Sequence, residues 1–135
     1  IGIPSHLLAG SLIGCLAQRL ARKLCTHCRK ARKATAEECK ILGVDAAKAP
    51  QVYDAVGCEK CARKGVKGRT AIVEVLRIDR GFDELIATNA TRKIMMEYAL
   101  KNDFVTMQQD GINKVLAGEI TIDELINTID LTDRL

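Results

Sequence analysis

The sequence predicts an α+β fold that is mostly α-helical, and three local patterns support this prediction. Residues 70–76 are rich in β-branched side chains that alternate with other residue types, which is typical of a strand. From Asp83 onward, apolar residues recur at helical spacing. Residues 25–68 differ in composition, with paired cysteines, many cations and several glycines. A chain of 135 residues can bury one core and carry a small appendage.

The first predicted element is an amphipathic helix over residues 7–24. Apolar residues recur there every three or four positions up to Leu20, and cations gather at the end, where the helix dipole favours them. Gly10 and Gly14 oppose a continuous helix, because each costs about 1 kcal/mol relative to alanine in a helix interior. A strand over residues 14–20 is therefore the alternative.

Capping signals predict the remaining helices. Thr35 and Glu38 form a capping box, and Gly43 can end the helix that follows over residues 35–42. Thr121 and Glu124 form another capping box at the start of the last helix. The helices predicted in the C-terminal half cover residues 82–88, 91–101, 106–117 and 121–129.

Two pairs of cysteines predict a metal site formed by Cys25, Cys28, Cys58 and Cys61. Each pair has C-x2-C spacing, and 29 residues separate the pairs. Such a turn directs two thiolates at one point, and two turns complete the tetrahedron of a structural Zn²⁺ site. The long spacer is accommodated by the helix predicted within it. The sequence therefore predicts a small zinc subdomain with an inserted helix.

Other interpretations of the cysteines are weaker. Disulfides are rare in the cytosol, where we expect this chain, and a redox C-x-x-C motif would need a βαβ unit that the flanking sequence lacks. His27 could replace one cysteine, but its position inside the first pair is expected to direct it outward. Cys15 and Cys39 are expected on apolar helical faces as small buried side chains.

The sequence contains no complete catalytic motif. The stretch that begins at Gly65 has glycines and a lysine, but in the wrong order for a phosphate-binding loop. Asp123 and Glu124 are explained by the helix dipole, so no catalytic pair is assigned. There is no apolar run of roughly 18–20 residues that could span a bilayer, and no secretory signal. These observations predict a cytoplasmic location.

Charge is divided unevenly along the chain. Residues 1–70 carry a net charge of +9, and residues 71–135 carry −5. This opposition suits contacts within the molecule or between subunits, although a basic half can also attract nucleic acid. A zinc-ribbon nucleic-acid-binding module is therefore the alternative function. It is poorly supported, because the chain has only four aromatic residues and none lies in the densest basic run.

Three stretches together resemble one known family. They are Ser11–Cys28, which contains Ala-Gln-Arg-Leu before the first cysteine pair, Gly57–Leu76, which contains Lys-Gly-Arg-Thr after the second pair, and Met107–Gly118. The set resembles the C-terminal part of the type II secretion and type IV pilus assembly ATPases. Val66 and Ala71 depart from the family pattern, and neither departure affects the cysteines.

The resemblance implies three parts and two strands. Residues 1–24 would be the tail of a nucleotide-binding core, residues 25–68 the tetracysteine zinc-binding subdomain, and residues 69–135 a returning strand and a C-terminal helical subdomain. Residues 15–20 and 69–76 would be a small pair of strands that belong to the core.

The resemblance also implies a function for the parent protein. This would be a hexameric motor at the cytoplasmic face of the bacterial inner membrane, in which ATP hydrolysis drives the assembly of pilin or pseudopilin subunits. The motor's nucleotide-binding motifs would precede Ile1, so ATP and Mg²⁺ are expected only in the longer protein. The implied partners of this non-catalytic part are neighbouring ATPase subunits and inner-membrane platform or assembly proteins.

Overall fold

The computed structural model describes residues 2–131 and confirms an α+β fold that is mostly helical. The helices in this part of the chain are α1 (Ser5–Leu8), α2 (Ala36–Leu42), α3 (Arg80–Ala87), α4 (Arg92–Lys101), α5 (Met107–Leu116) and α6 (Ile122–Thr128). The strands are β1 (Gly14–Leu24), β2 (Lys30–Lys33), β3 (Gln51–Asp54) and β4 (Val66–Arg77). Strand β1 pairs with β4, and β2 pairs with β3.

The N-terminal segment shows that the helix predicted over residues 7–24 is wrong. Only one turn, α1, forms there, and Gly10 follows it with a φ of +77°. Strand β1 then contains the alternative strand over residues 14–20. The leucines did not distinguish the two structures, because a spacing of four residues keeps side chains on one face of both a helix and a strand. Pairing with β4 satisfies the backbone of β1 and so favours the strand.

The described residues divide into two compact units. The first unit contains residues 2–17 and 74–106, and the second contains residues 18–73 and 107–131. Within the first unit, the Tyr98 hydroxyl donates to Asp79 Oδ1 at 3.0 Å. The Tyr98 ring meets Phe82 edge-on, with ring centroids 6.0 Å apart. These contacts connect α4 to the start of α3.

The second unit holds the main buried cluster of the described chain. Strands β1, β3 and β4 and helices α2, α5 and α6 all contribute to it, and burial of their apolar faces is the main force that holds these short elements together. Its buried members are Ala21, Ala34, Cys39, Leu42, Val52, Ile72, Ile112, Val115, Ile120, Ile122, Leu125, Ile129 and Leu131.

Helix α2 has the capping box that the sequence predicts. Thr35 Oγ1 accepts from the Glu38 N–H at 3.2 Å, and Glu38 Oε2 accepts from the Thr35 N–H at 2.7 Å. Gly43 ends the helix with a φ of +69°. Because both ends are satisfied locally, this helix forms where its sequence places it.

Helix α6 has only half of its predicted capping box. Thr121 Oγ1 accepts from the Glu124 N–H at 3.0 Å, as expected. The Glu124 carboxylate instead accepts hydrogen bonds from Arg22, from the backbone N–H at 2.7 Å and from Nε at 2.8 Å. A bond to a cation on β1 therefore replaces the reciprocal bond of the box, and it ties α6 to that strand.

The hairpin-like pair of β2 and β3 was not predicted from the sequence. The two strands are antiparallel, with Ala31 opposite Tyr53 and Arg32 opposite Val52. Strand β2 reads Lys-Ala-Arg-Lys, which gives no apolar alternation to recognise. Arg32 contributes to holding the pair, because its Nε lies 2.8 Å from Asp54 Oδ2 and its Nη atoms bind Glu38.

Candidate metal centre

The first cysteine pair lies in a turn between β1 and β2. The carbonyl of Cys25 accepts from the N–H groups of Cys28, at 3.3 Å, and Arg29, at 3.0 Å, so the chain reverses over four residues. The Cys25 N–H in turn donates to the carbonyl of Gly65 at 2.9 Å. The first turn is thus joined by its backbone to the segment that follows the second pair.

The second cysteine pair lies in a similar turn before β4. The Cys58 carbonyl accepts from the N–H groups of Cys61, at 3.2 Å, and Arg63, at 2.8 Å. Ala62 and Arg63 both adopt left-handed backbone conformations, with φ of 50° and 60°. Such conformations cost free energy in non-glycine residues, so this turn is held in place by its surroundings.

Gly65 closes the second turn and contacts it through its backbone N–H. Its N–H donates to Cys61 Sγ at 3.3 Å, and its φ is +72°. A Cβ at this position would lie only 2.7 Å from Ala55 Cβ. The left-handed backbone and the close approach both require glycine here. The stretch that begins at Gly65 therefore serves the cysteine turn in this fold.

The four sulfur atoms converge at one point. The Sγ atoms of Cys25, Cys28, Cys58 and Cys61 all lie within 4.8 Å of one another. Three of the separations are 3.9 Å (Cys25 to Cys58), 3.8 Å (Cys28 to Cys61) and 3.8 Å (Cys58 to Cys61).

These separations match a tetrahedral thiolate site. A regular tetrahedron with Zn–S bonds of about 2.3 Å has S–S edges of about 3.8 Å. A disulfide would instead hold two sulfurs about 2.05 Å apart, and all four cysteines are free. The four cysteines could therefore hold one metal ion. Among first-row metals, tetrahedral S4 coordination suits zinc or iron.

Two thiols in the cluster have shifted pKa values. Hydrogen bonds from the Cys58 N–H, at 3.2 Å, and then from Gly65 lower the pKa of the Cys61 thiol to about 6. Burial raises the pKa of the Cys28 thiol to about 12. The backbone thus favours the thiolate at Cys61, while burial favours the thiol at Cys28. A bound cation takes thiolate ligands and would favour their deprotonation.

Many cations lie close to the cysteines in the sequence, and most of them form no ion pair within the described residues. Between residues 19 and 69 of the described chain, only Arg22 and Arg32 take part in salt bridges. An exposed group without such a partner lies within and just after the second pair and consists of Lys60, Arg63, Lys64, Lys67 and Arg69. A tetrathiolate site with a divalent ion carries a formal charge of −2, and nearby cations offset such a charge.

The other cysteines and His27 differ in how well the sequence placed them. His27 is exposed, as expected, and it is not part of the converging group. Cys39 is buried on α2, which confirms its prediction. Cys15 is exposed on β1, so the prediction that it is buried on a helical face is wrong. The error follows from the wrong secondary structure of this segment.

Arg29 is a residue of this site that sequence reasoning did not single out. It follows Cys28 directly, its guanidinium carbon lies 4.7 Å from the centre of the Tyr53 ring, and Nη1 donates to the carbonyl of Gly118. In the sequence, Arg29 looks like one more member of the basic run. No local pattern connects it with a residue 89 positions away.

A model of the family described as type II/IV secretion system protein matches residues 1–127 of this chain. Because the match covers nearly the whole chain, the chain belongs to this family. This confirms the resemblance to the type II secretion and type IV pilus assembly ATPases.

Curated relatives include proteins of both systems. The type II secretion system protein E of Aeromonas hydrophila is 38% identical over 126 residues, which cover 93% of this chain and 25% of the relative. The type IV pilus assembly ATPase TfpB of Acinetobacter baylyi is 31% identical over 134 residues, with coverages of 98% and 23%. The type IV pilus assembly ATPase PilB of Thermus thermophilus is 33% identical over 128 residues, which cover 93% of this chain and 14% of the relative. The chain thus spans a quarter or less of the length of these relatives.

Among residues 2–131, no helix combines the length and the apolar character that crossing a bilayer requires.

Proposed function

We propose that this chain is the C-terminal, non-catalytic part of a hexameric motor ATPase that assembles secretion or pilus fibres, and that its four cysteines bind one structural Zn²⁺. In this proposal the three parts keep the bounds predicted above, at residues 1–24, 25–68 and 69–135. The zinc-stabilised part contacts neighbouring subunits or platform proteins. ATP and Mg²⁺ act in the longer protein, at the cytoplasmic face of the inner membrane.

The observation that carries the proposal is the convergence of four sulfurs at tetrahedral spacing in a chain of this family. Two relatives bear the name ATPase, and the family description refers to secretion systems, which supports the role of the parent. Zinc is the expected metal because four thiolates close the coordination shell and leave no position for water, as structural zinc sites require.

The test is a measurement of metal content and activity on the intact chain. Native mass spectrometry and elemental analysis should find one zinc per chain, lost on treatment with a strong chelator. The chain should not hydrolyse ATP at the rate of a complete motor. Material without stoichiometric metal would contradict the zinc site, and ATP hydrolysis at motor-like rates would contradict the non-catalytic role.

One observation favours a second candidate, a nucleic-acid-binding zinc module. The cations within and just after the second cysteine pair are exposed and lack ion pairs within the described residues. Binding through phosphates would weaken steeply with salt. Two of the four aromatic rings oppose this function, because Phe82 is buried and the Arg29 guanidinium already stacks on one face of Tyr53. Absence of binding to short DNA and RNA at low salt would rule it out.

A further inference from the structure

The turn between α5 and α6, residues 117–121, is attached to the first cysteine pair on both of its flanks. On one flank, the Leu24 N–H donates to the carbonyl of Glu119 at 2.7 Å. On the other flank, Arg29 Nη1 donates to the carbonyl of Gly118. The two acceptors are consecutive carbonyls of one turn, and the two donors immediately precede and follow the cysteine pair.

Close packing, in addition to hydrogen bonding, holds the α5–α6 turn against the segment that contains the first cysteine pair. Gly118 is buried, with a φ of +68°, and a Cβ there would lie 2.6 Å from the Tyr53 ring and 2.8 Å from Arg29 Nη1. The Arg29 guanidinium therefore lies between the aromatic ring of β3 and the backbone of the turn. A planar cation can stack on a ring while it donates in its own plane, which a lysine cannot do.

The position of Arg29 depends on the cysteine turn. Its backbone N–H donates to the carbonyl of Cys25 at 3.0 Å, so the turn that brings two sulfurs together also sets where the Arg29 side chain begins. If the sulfurs separate, both this residue and Leu24 lose the geometry that directs them at the α5–α6 turn.

We propose that Arg29 couples occupancy of the cysteine site to the order of the α5–α6 turn. The proposal rests on the zinc binding proposed above. Metal in the site holds Leu24 and Arg29 against the carbonyls of the turn, and loss of metal releases the turn together with the cysteine segment. Because coupling between two sites is reciprocal, weakening the attachment at the turn must also weaken retention of the metal.

Hydrogen exchange on the whole 135-residue chain tests this coupling. In the zinc-loaded protein, the amides of Leu24, Gly118 and Glu119 should be protected, since each donates a backbone hydrogen bond. Removal of zinc with a chelator should raise their exchange rates at least about fivefold, the lower end of typical coupling effects. In Arg29→Ala these amides should exchange fast before chelation, so that chelation adds little.

The matched control is Lys30→Ala. Lys30 is the next residue, is exposed, and forms no ion pair within the described part of the chain. Its substitution should leave both the exchange rates and the response to chelation as in the unsubstituted protein. Unchanged exchange at the turn after zinc is lost, with residues 25–33 opened, would overturn the coupling and leave the proposed zinc site intact.

A second measurement tests the coupling through Arg29 even if chelation unfolds the chain completely. Zinc affinity, measured by equilibrium competition with a chromophoric chelator, should be at least about fivefold weaker for Arg29→Ala than for Lys30→Ala. Equal affinities would overturn the proposal. A chain that binds no zinc at all would instead contradict the proposed function, so the two failures can be told apart.

Discussion

Among individual residues, Gly65 and Gly68 allow a direct test of what the second cysteine turn requires. Both have left-handed backbones, with φ of +72° and +78°, but a Cβ at Gly65 would strike Ala55 while a Cβ at Gly68 meets open space. Gly68→Ala should therefore cost about 1–2 kcal/mol for the backbone alone. Gly65→Ala should cost about 1–3 kcal/mol more, because of the added overlap.

Urea unfolding of the zinc-loaded variants provides the measurement for this pair. The midpoint for Gly65→Ala should lie clearly below that for Gly68→Ala, and zinc release should be faster. Equal midpoints would mean that the contact between residues 55 and 65 carries no strain, and that only the backbone conformation matters.

The Glu38 carboxylate gives a prediction on pH. Hydrogen bonds from Arg32 lower the pKa of Glu38 to about 2, from the ordinary glutamate value of 4.5. A depressed pKa contributes stability that is complete above pH 4.5 and is lost as the pH falls toward 2. At pH 7, Glu38→Gln should cost about 1–3 kcal/mol of unfolding free energy. This cost should shrink progressively below pH 4.5.

Glu37→Gln is the control for Glu38, since Glu37 is exposed in the same first turn of α2. Comparing each variant with the unsubstituted protein over the same pH series isolates the effect of one carboxylate from general acid sensitivity. A cost for Glu38→Gln that stays constant down to pH 3 would contradict the assigned pKa.

Between elements, the hydrogen bonds from Arg22 on β1 to Glu124 on α6 should contribute more to stability than the negative charge at the start of α6. Burial raises the pKa of Glu124, but its hydrogen bonds from Arg22 outweigh this, so the net pKa is lowered and the buried carboxylate stays ionised. Glu124→Gln should cost about 1.5–3 kcal/mol, the range for hydrogen bonds to charged groups. The rate of amide hydrogen exchange in α6 should also rise in this variant.

The neighbouring Asp123→Asn is the control for this prediction. Asp123 is also in the first turn of α6 but is exposed, so its removal costs only its interaction with the helix dipole, about 0.3–1 kcal/mol. If the two variants were equally stable, the bond to Arg22 would contribute no more than the general field of the helix.

The elements that the sequence predicted are those whose signals are local. Helix α2 carries its own capping box and terminal glycine, and β4 carries a run of β-branched residues, so both were identified. Strand β1 was not distinguished from a helix, because its spacing of four fits both periods. Strands β2 and β3 are stabilised by cross-strand contacts such as Arg32 with Asp54, which leave no pattern in either segment alone.

For the chain as a whole, loss of the metal should open the cysteine segment and spare the first unit. Cys58→Ser removes one of the four proposed ligands, and metal-binding free energy at a structural site is folding free energy. Amides in residues 25–68 should therefore lose protection. Helices α3 and α4 should keep theirs, since contacts such as Tyr98 with Asp79 lie within their own unit.

Cys15→Ser is the control for Cys58→Ser, because Cys15 lies in the first unit, outside the converging group. It should retain one zinc and the protection pattern of the unsubstituted chain. Unchanged protection of residues 25–68 in Cys58→Ser would show that the site does not stabilise its segment.

The convergence of the four cysteines was predictable from the sequence, and the groups that hold their two turns in place were not. Two C-x2-C pairs identify Cys25, Cys28, Cys58 and Cys61 from spacing alone, because the turn geometry of each pair is local. The groups that hold the turns come from distant parts of the chain, as with the carbonyl of Gly118 that receives Arg29. Such pairings depend on the complete fold, which spacing does not encode.

Because Cys15 is exposed and the other cysteines should be protected in the zinc-loaded protein, counting alkylated cysteines can measure the fraction of chains that carry metal. The chain has six cysteines, of which Cys39 is 1% exposed and four converge at the candidate centre. A mild alkylating reagent should therefore add one label per chain when zinc is bound, and six after chelation or in denaturant, because opening of residues 25–68 exposes Cys39 together with the four converging cysteines. Rapid addition of a second label to the loaded protein would contradict a closed tetrathiolate site. Label counting by mass then gives the loaded fraction of any preparation without a metal assay.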